Sequence, residues 1–364
     1  MMNNDKNIPN VPTLRFDDFS DNWTISTLGD VCSYRKERRT AEKKYYVSTE
    51  NILQNYQGIE CFDSNEKISG DAFDKNDVLM GNIRPYLKKV CFANFDGVCN
   101  ADVLVFKNKS LNPRYLHCIL ANDSFINYVM SSVKGSKMPR GDKNFIMQYP
   151  LSYPSELEQA KISNFIETLT KRIEVQNKII SKYETLIKGL GDRIFRHNKT
   201  IPLSDLVICK TSTFQENEVV NDNSGQYNVF GASGIIASVS NYQFDRNAIL
   251  VLKDGSKAGK IQYASGKYSV VGTSVILIPK IESDAKYLYF AMLAIDFGQY
   301  KVGSGIPHIY FKDYSSEKIY YPDEMQRNRI EKTLTTYETK LGVEKRMLSA
   351  LLKQKAFFLQ SMFI

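Results

Sequence analysis

Three stretches of this 364-residue chain bring together residues that could do chemistry. "KDGSKAGKI", beginning at Lys253, sets two glycines among three lysines, the ingredients of a loop that wraps a phosphate. Such a loop needs four residues between its glycines and Ser or Thr after its lysine. Here three residues separate Gly255 from Gly259, and Ile261 follows Lys260. The stretch reads instead as a basic turn between strands, meeting phosphates of a nucleic acid or simply facing water. "NPRY", from Asn112, approaches the Asn-Pro-Pro-aromatic motif with which amino-methyltransferases hold an extruded base. Arg114 replaces the second proline, and no glycine-rich cofactor turn precedes it, so Pro113 is expected to open a helix. Ser274 in "VGTSVIL" does not sit in a G-x-S-x-G elbow and has no evident His and acid partners. No carboxylates cluster at nuclease-like spacing. Six cysteines (Cys32, Cys61, Cys91, Cys99, Cys118, Cys209) form no CxxC pair, and only three histidines are present, so free, mostly buried thiols are expected and a zinc cage is not. Catalysis by this chain alone is therefore not expected.

What remains is positive charge. The net charge of +8 permits a nucleic-acid partner without requiring one. The excess is spread evenly, so a binding face must be a local patch. The densest run is "YRKERRT", with Arg35, Lys36, Arg38 and Arg39, followed by Lys43 and Lys44. "GNIRPYLKK" offers Arg84, Lys88 and Lys89, and its counterpart further on offers Lys253, Lys257 and Lys260. Two similar loops, "GSKMPR" with Lys137 and Arg140 and "GSGIPH" with His308, complete the set. Each residue is a candidate DNA contact or a solvated surface charge, and His308 could pair with an acidic neighbour. Tyr86 and Tyr310 could stack on a base but are expected to pack in a core.

The elements that must position these residues come in duplicate. "YPSELEQAKI" begins at Tyr153 and "YPDEMQRNRI" at Tyr321, an offset of 168 residues. After each, apolar residues recur in alternating steps of four and three: Ile162, Ile166, Leu169, Ile173, Gln176, Ile180, Tyr183, Ile187, Leu190, Ile194, and then Ile330, Leu334, Tyr337, Leu341, Glu344, Leu348, Leu351, Lys355, Phe358, Met362. This is a coiled-coil seam. Each copy opens with Pro, then Ser155 or Asp323 as an N-cap, then acidic residues in the first turn. About 40 helical residues make a rod of roughly 60 Å, with Gly189 and Gly191 expected to kink or shorten the first. Two exposed apolar stripes are best covered by each other; the pattern leaves parallel and antiparallel pairing open.

The segments before the rods also correspond: "LGDV" with "LSDL", "DVLMGNIRPYLKKVCFA" with "NAILVLKDGSKAGKIQYA", "ADVLVFKN" with "TSVILIPK", "RYLHCILANDSFINYVM" with "KYLYFAMLAIDFGQYKV". Each segment reads as mixed α+β. The expected divisions are 1–152 and 198–320 for two globular domains, 153–197 and 321–364 for the rods.

These stretches, with "LRFDDFSDNWTISTLGDV" near the start and "GDKNFIMQYPLSYP" leading into the first rod, resemble the specificity subunit of type I restriction-modification systems over essentially the whole chain. The resemblance implies two tandem target-recognition domains, each reading one half of a split double-stranded DNA site, held apart by an antiparallel coiled coil. It implies docking of two methyltransferase subunits, which bind S-adenosylmethionine and methylate adenine, and of restriction/translocase subunits in the full complex. No cofactor is expected on this chain. Met325-Gln326-Arg327 stands where Leu157-Glu158-Gln159 stands in the first copy, so the two docking surfaces are expected to differ. In an antiparallel pair Gln176 and Glu344, both near mid-rod, would face each other, either as tolerated exposed seam positions or as a hydrogen bond that fixes the register. The rival readings are a self-sufficient DNA methyltransferase, which would bind cofactor alone, and a coiled-coil adaptor that ignores DNA sequence. The polar start "MMNNDKNIPN" lacks the apolar stretch of a signal peptide, and no run approaches the ~18 apolar residues of a membrane span, so a cytoplasmic location without membrane contact is expected.

Overall fold

The strand Val103–Asn108 is buried at its first four positions, and its counterpart Ser274–Pro279 at all six. Strands of that kind need cover on both faces, and the computed structural model shows how each half of the chain provides it. The structure describes residues 11–133, 137–196, 200–219, 225–303 and 305–364, so Gly135, Ser136 and Ser304 of the two similar loops lie outside the described residues.

In the first unit a four-stranded antiparallel sheet runs in the order Cys32–Tyr34, Val103–Asn108, Val78–Gly81, Val90–Phe92. One face (Val78, Met80, Leu104, Phe106) packs on the helices Pro113–Leu120 and Asp123–Ser131. The other (Leu79, Cys91, Val103, Val105) packs on a second sheet through Val47, Phe73 and Cys99. Strict alternation along the strands sorts the side chains. In the second unit the order Val207–Thr211, Ser274–Pro279, Ala248–Leu252, Ile261–Ala264 repeats that sheet strand for strand. The helix Ala285–Leu293 covers Ile249, Val251 and Leu277, while Tyr268 and Val270 of the second sheet cover Leu250 and Ile276.

The second sheets share three strands and differ in the fourth. Gly97–Cys99 pairs in parallel with Tyr46–Val47 and antiparallel with Lys67–Phe73. Lys267–Val270 likewise takes Tyr227–Gly231 in parallel and Phe244–Asp245 antiparallel. The added strand Arg38–Glu42 extends the antiparallel edge in the first unit. In the second, Gly234–Val239 extends the parallel edge. A two-stranded sheet then ties the entry of each module to its exit: Thr24–Thr27 with Pro150–Tyr153, and Ile201–Pro202 with Lys318–Ile319.

From those exits start the rods, Glu156–Phe195 and Glu324–Ser361, each an unbroken helix. Asp323 caps the second: its Oδ1 accepts from the Gln326 N–H at 2.8 Å. The first rod is not cut short at Gly189 and Gly191. Both glycines have open space around them, and the helix continues because Leu190, Ile194 and Phe195 are held in the second unit's core. Every predicted seam residue is buried or half-buried. In the first unit the beginning of the first rod meets the end of the second, with Phe165 edge-on to Phe358 at 4.8 Å and Ile166 clustered with Leu359. In the second unit the end of the first rod meets the beginning of the second: Glu184 pairs with Lys345 at 2.7 Å, and Ile194 shares a core with Ile330 and Leu334. That order of partners is antiparallel. The compact units divide each rod, the first taking residues up to Gln176 and from Met347, the second taking Asn177–Arg346.

Candidate nucleic-acid interface

The two basic turns are one backbone built from different residues. In the first unit the chain leaves its strand at Gly81, whose N–H donates to the Lys89 carbonyl at 2.9 Å; in the second, the Leu252 N–H donates to Lys260 at 2.9 Å. Inside the turn, Leu87 N–H reaches the Arg84 carbonyl and Ala258 N–H the Gly255 carbonyl, both at 2.9 Å. Arg84 and Lys88 have φ of 52° and 54°; Gly255 and Gly259, at the same places, both have φ of 88°. Only glycine enters that left-handed region without cost. At Gly259 space forbids anything else, since a Cβ would stand 2.5 Å from Phe297 Cβ.

Each turn is stitched to the loop that the sequence offered as a separate candidate. The Arg84 N–H donates to the Pro139 carbonyl at 2.8 Å, and the Gly255 N–H to the Pro307 carbonyl at 2.9 Å. Ile83 bridges Arg140, and Asp254 bridges His308. Behind the first loop the buried Asn82 amide exchanges hydrogen bonds with Gly141. Behind the second, Val302 and His308 exchange backbone hydrogen bonds at 2.9 and 2.8 Å. Turn and loop thus form one platform per module.

The platforms present different side chains. The first shows Arg84, Lys137 and Arg140, with Arg140 Nε 3.1 Å from Asp102. Lys88 is engaged by Asp123 at 2.8 Å, which the Tyr56 hydroxyl also meets at 2.9 Å. Burial pushes the Asp123 carboxyl up, but Lys88 and Tyr56 outweigh it and hold it below the usual carboxylate range. Lys89 turns inward and donates to the Thr49 carbonyl. The second platform shows Lys257 and Lys260, both exposed, with Lys253 half-buried beside Asp254. His308 Nδ1 lies 2.8 Å from Asp254 Oδ1, the acidic pairing that its sequence left open. Tyr86 and Tyr310, expected in the core, are about half exposed, at 49% and 50%. They lie on the platforms, where the turn and the start of a short helix turn them outward.

The "YRKERRT" run separates into two classes. Arg35 is not surface charge: its side chain is 6% exposed, with Nε 2.8 Å from Asp77 and Nη2 2.8 Å from Asp74. A guanidinium that is buried and holds two carboxylates through Nε and Nη2 is not placed to reach a groove. Arg39 is half-exposed and pairs with Asp74 at 2.9 Å. Lys36 and Arg38 are exposed. On the rods, Gln176 is buried at the end of the first unit's share and Glu344 is half-buried in the second unit.

"NPRY" is a helix start. Asn112 Oδ1 accepts from the Arg114 and Tyr115 N–H groups, and Pro113 takes the first position. No group of His, Cys, Asp and Glu suited to a metal occurs among the described residues, and no described helix is long and apolar enough to cross a membrane. The sequence reading missed two platform residues, Met138 and Ile306, exposed at 49% and 63%. The available signal was an apolar residue before proline at the same offset in both loops.

Comparison with known proteins agrees with this architecture. The type I restriction enzyme EcoDI specificity subunit of Escherichia coli is 24% identical over 203 residues, 54% of this chain and 44% of that protein. The MjaVIII specificity subunit of Methanocaldococcus jannaschii is 28% identical over 123 residues, 33% of this chain and 28% of its own length. The chain thus spans less than half the length of these curated relatives. Among solved structures, the type I restriction-modification S subunit from M. genitalium superposes with a TM-score of 0.67 at 15% identity, covering 97% of this chain and 99% of that one. A chain from a structure of type I R-M complex assembly and conformational transition gives 0.55 at 16% identity, over 93% and 96%. At such identities the likeness is one of fold. The model of the type I restriction modification DNA specificity domain matches twice, over residues 20–185 and 197–353. Each match takes in one module, one platform and most of one rod, and by that double match the chain belongs to the type I restriction modification DNA specificity domain family.

Proposed function

We propose that this chain reads a two-part sequence in double-stranded DNA, one part through each module, as the non-catalytic specificity subunit of a type I restriction-modification complex. The observation that carries this reading is the platform built twice on one backbone with two sets of side chains. Lysines and arginines at such a surface hold phosphates and set position, while arginine and other polar tips read base edges in the major groove. One geometry with different side chains suits two half-sites of different sequence. The fourth strand of the second sheet, on opposite edges in the two modules, adds to that difference.

The rods supply a stiff separation that a Gly/Ser linker would not. Pairing of Gln176 with Glu344 as a register lock belongs to the same proposal, and a double-mutant cycle showing no coupling between them would remove it. The partners are two methyltransferase subunits, which would carry S-adenosylmethionine, and restriction/translocase subunits in the full, cytoplasmic complex. The names of the relatives, specificity subunits of type I restriction enzymes, support a place in such a complex.

The test is to map methylated adenines in DNA from cells carrying this chain with its methyltransferase partner. A bipartite motif is expected. A complex that shows no preference among duplexes at ~0.15 M salt, where charge-only binding is weak, would overturn the reading.

A further inference from the structure

We propose that Met138 and Ile306 are apolar wedges that press into the base stack of each DNA half-site; the inference rests on the DNA-reading function above. They are 168 residues apart and hold the same place in the two modules. A single exposed apolar residue is ordinary on any surface. Two exposed at the same position of a duplicated loop, where the neighbouring residues differ, call for a common cause.

Three further observations point to DNA rather than protein as what they meet. The flanking side chains are cationic or polar: Lys137, Arg140 and Arg84 around Met138, and His308 and Lys257 on the platform of Ile306. Lysine, present on both platforms, is depleted at protein-binding patches, whereas proteins that press apolar wedges into DNA use arginine and lysine beside them. The residue after each is a proline, which biases its predecessor to an extended conformation, and that proline's carbonyl is held by the turn at 2.8 and 2.9 Å. Gly303, with φ of 98°, turns the second loop tightly, and a Cβ there would stand 2.7 Å from the Ile306 carbonyl oxygen. The backbone at each tip is therefore tied to its turn, which sets where a wedge would meet the duplex. An exposed tyrosine accompanies each tip, Tyr86 in the first module and Tyr310 in the second, and offers a face for an unstacked base.

The test uses the full chain assembled with its methyltransferase subunits and duplexes of the mapped bipartite sequence, with 2-aminopurine placed at successive positions across each half-site. Wild-type complex is expected to raise fluorescence several-fold at one step in each half-site, in addition to any signal at the methylated adenine. Met138→Ala is expected to abolish the signal in one half-site only, and Ile306→Ala in the other, each with about tenfold weaker binding. Met138→Leu is expected to retain the signal, which separates a lost wedge from a misfolded loop. If the complex binds its sequence specifically and no step outside the methylated adenine responds to either alanine variant, the wedge is wrong and the DNA-reading function stands. If wild-type complex prefers no sequence, both fall.

Discussion

Arg327 Nε lies 3.1 Å from Asp284 Oδ1, and Arg327 Nη1 lies 2.7 Å from the Pro322 carbonyl, so one buried guanidinium joins the first turn of the second rod to the start of its module's helix. In the first module Gln159 has the same seat. Its Nε2 donates to the Pro154 carbonyl at 2.9 Å, and its Oε1 accepts from the Asn112 N–H at 2.8 Å. One joint is ionic, the other neutral. Arg327→Ala, which leaves the buried Asp284 carboxylate with the Tyr321 hydroxyl but no cation, is expected to destabilise by about 3–5 kcal/mol. Gln159→Ala is expected to cost about 1–3 kcal/mol, the cost of unsatisfied buried groups. The double change Arg327→Gln with Asp284→Asn should recover most of the loss. Urea unfolding of the three variants checks the order.

Arg84 occupies a backbone conformation that its counterpart Gly255 reaches freely. Arg84→Gly should therefore stabilise the first module, by up to about 1 kcal/mol, while weakening binding to the half-site that module reads. Strain kept at a residue whose side chain faces outward is a mark of function. Thermal unfolding and half-site binding, measured on one variant, are expected to move in opposite directions. A variant that loses stability as well as binding would count against that account.

Arg35 and Arg38 stand three residues apart and should behave as opposites. Arg35→Ala leaves the buried Asp77 without its guanidinium, and Asp74 with Arg39 alone, and is expected to cost about 3–5 kcal/mol. Arg38→Ala, at an exposed strand start, should stay within about 0.5 kcal/mol of wild type. Unfolding midpoints decide this without any DNA present.

Lys257 and Lys260 are expected to act on phosphates. Replacing either by Met should weaken binding evenly across sequences and lower the slope of log K against log salt by about 1. A change in the preferred base at one position, with the slope intact, would instead assign that lysine to base readout.

The sequence disclosed the duplication, the rods and the buried strands because each rests on periodicity, which survives when identity is low. That every seam position from Ile162 to Ile194 and from Ile330 to Met362 is buried or half-buried follows from that pattern alone. The platforms were legible only in parts. "GNIRPYLKK" and "GSKMPR" were separate candidates because the bond joining them, from the Arg84 N–H to the Pro139 carbonyl, is a long-range backbone contact that no residue type announces. Arg35 was misread for a related reason. A run of cations looks the same on paper whether its carboxylates are neighbours in space or absent, and Asp74 and Asp77 stand about forty residues away. Tyr86 and Tyr310 were misplaced because the exposure of an aromatic side chain depends on which way its turn faces.

The left-handed turn has one more implication. Arg84 with Lys88, and Gly255 with Gly259, build the same backbone from residues that share almost no chemistry. What passes between the two halves of this protein is a shape, and the side chains on it are free to be exchanged. At Gly259, pressed against Phe297, that freedom ends. The second module can acquire new contacts at Lys257 or Lys260 by single substitutions, but not at the glycine between them and the core. Each half thus inherits its own list of positions from which a new preference can arise.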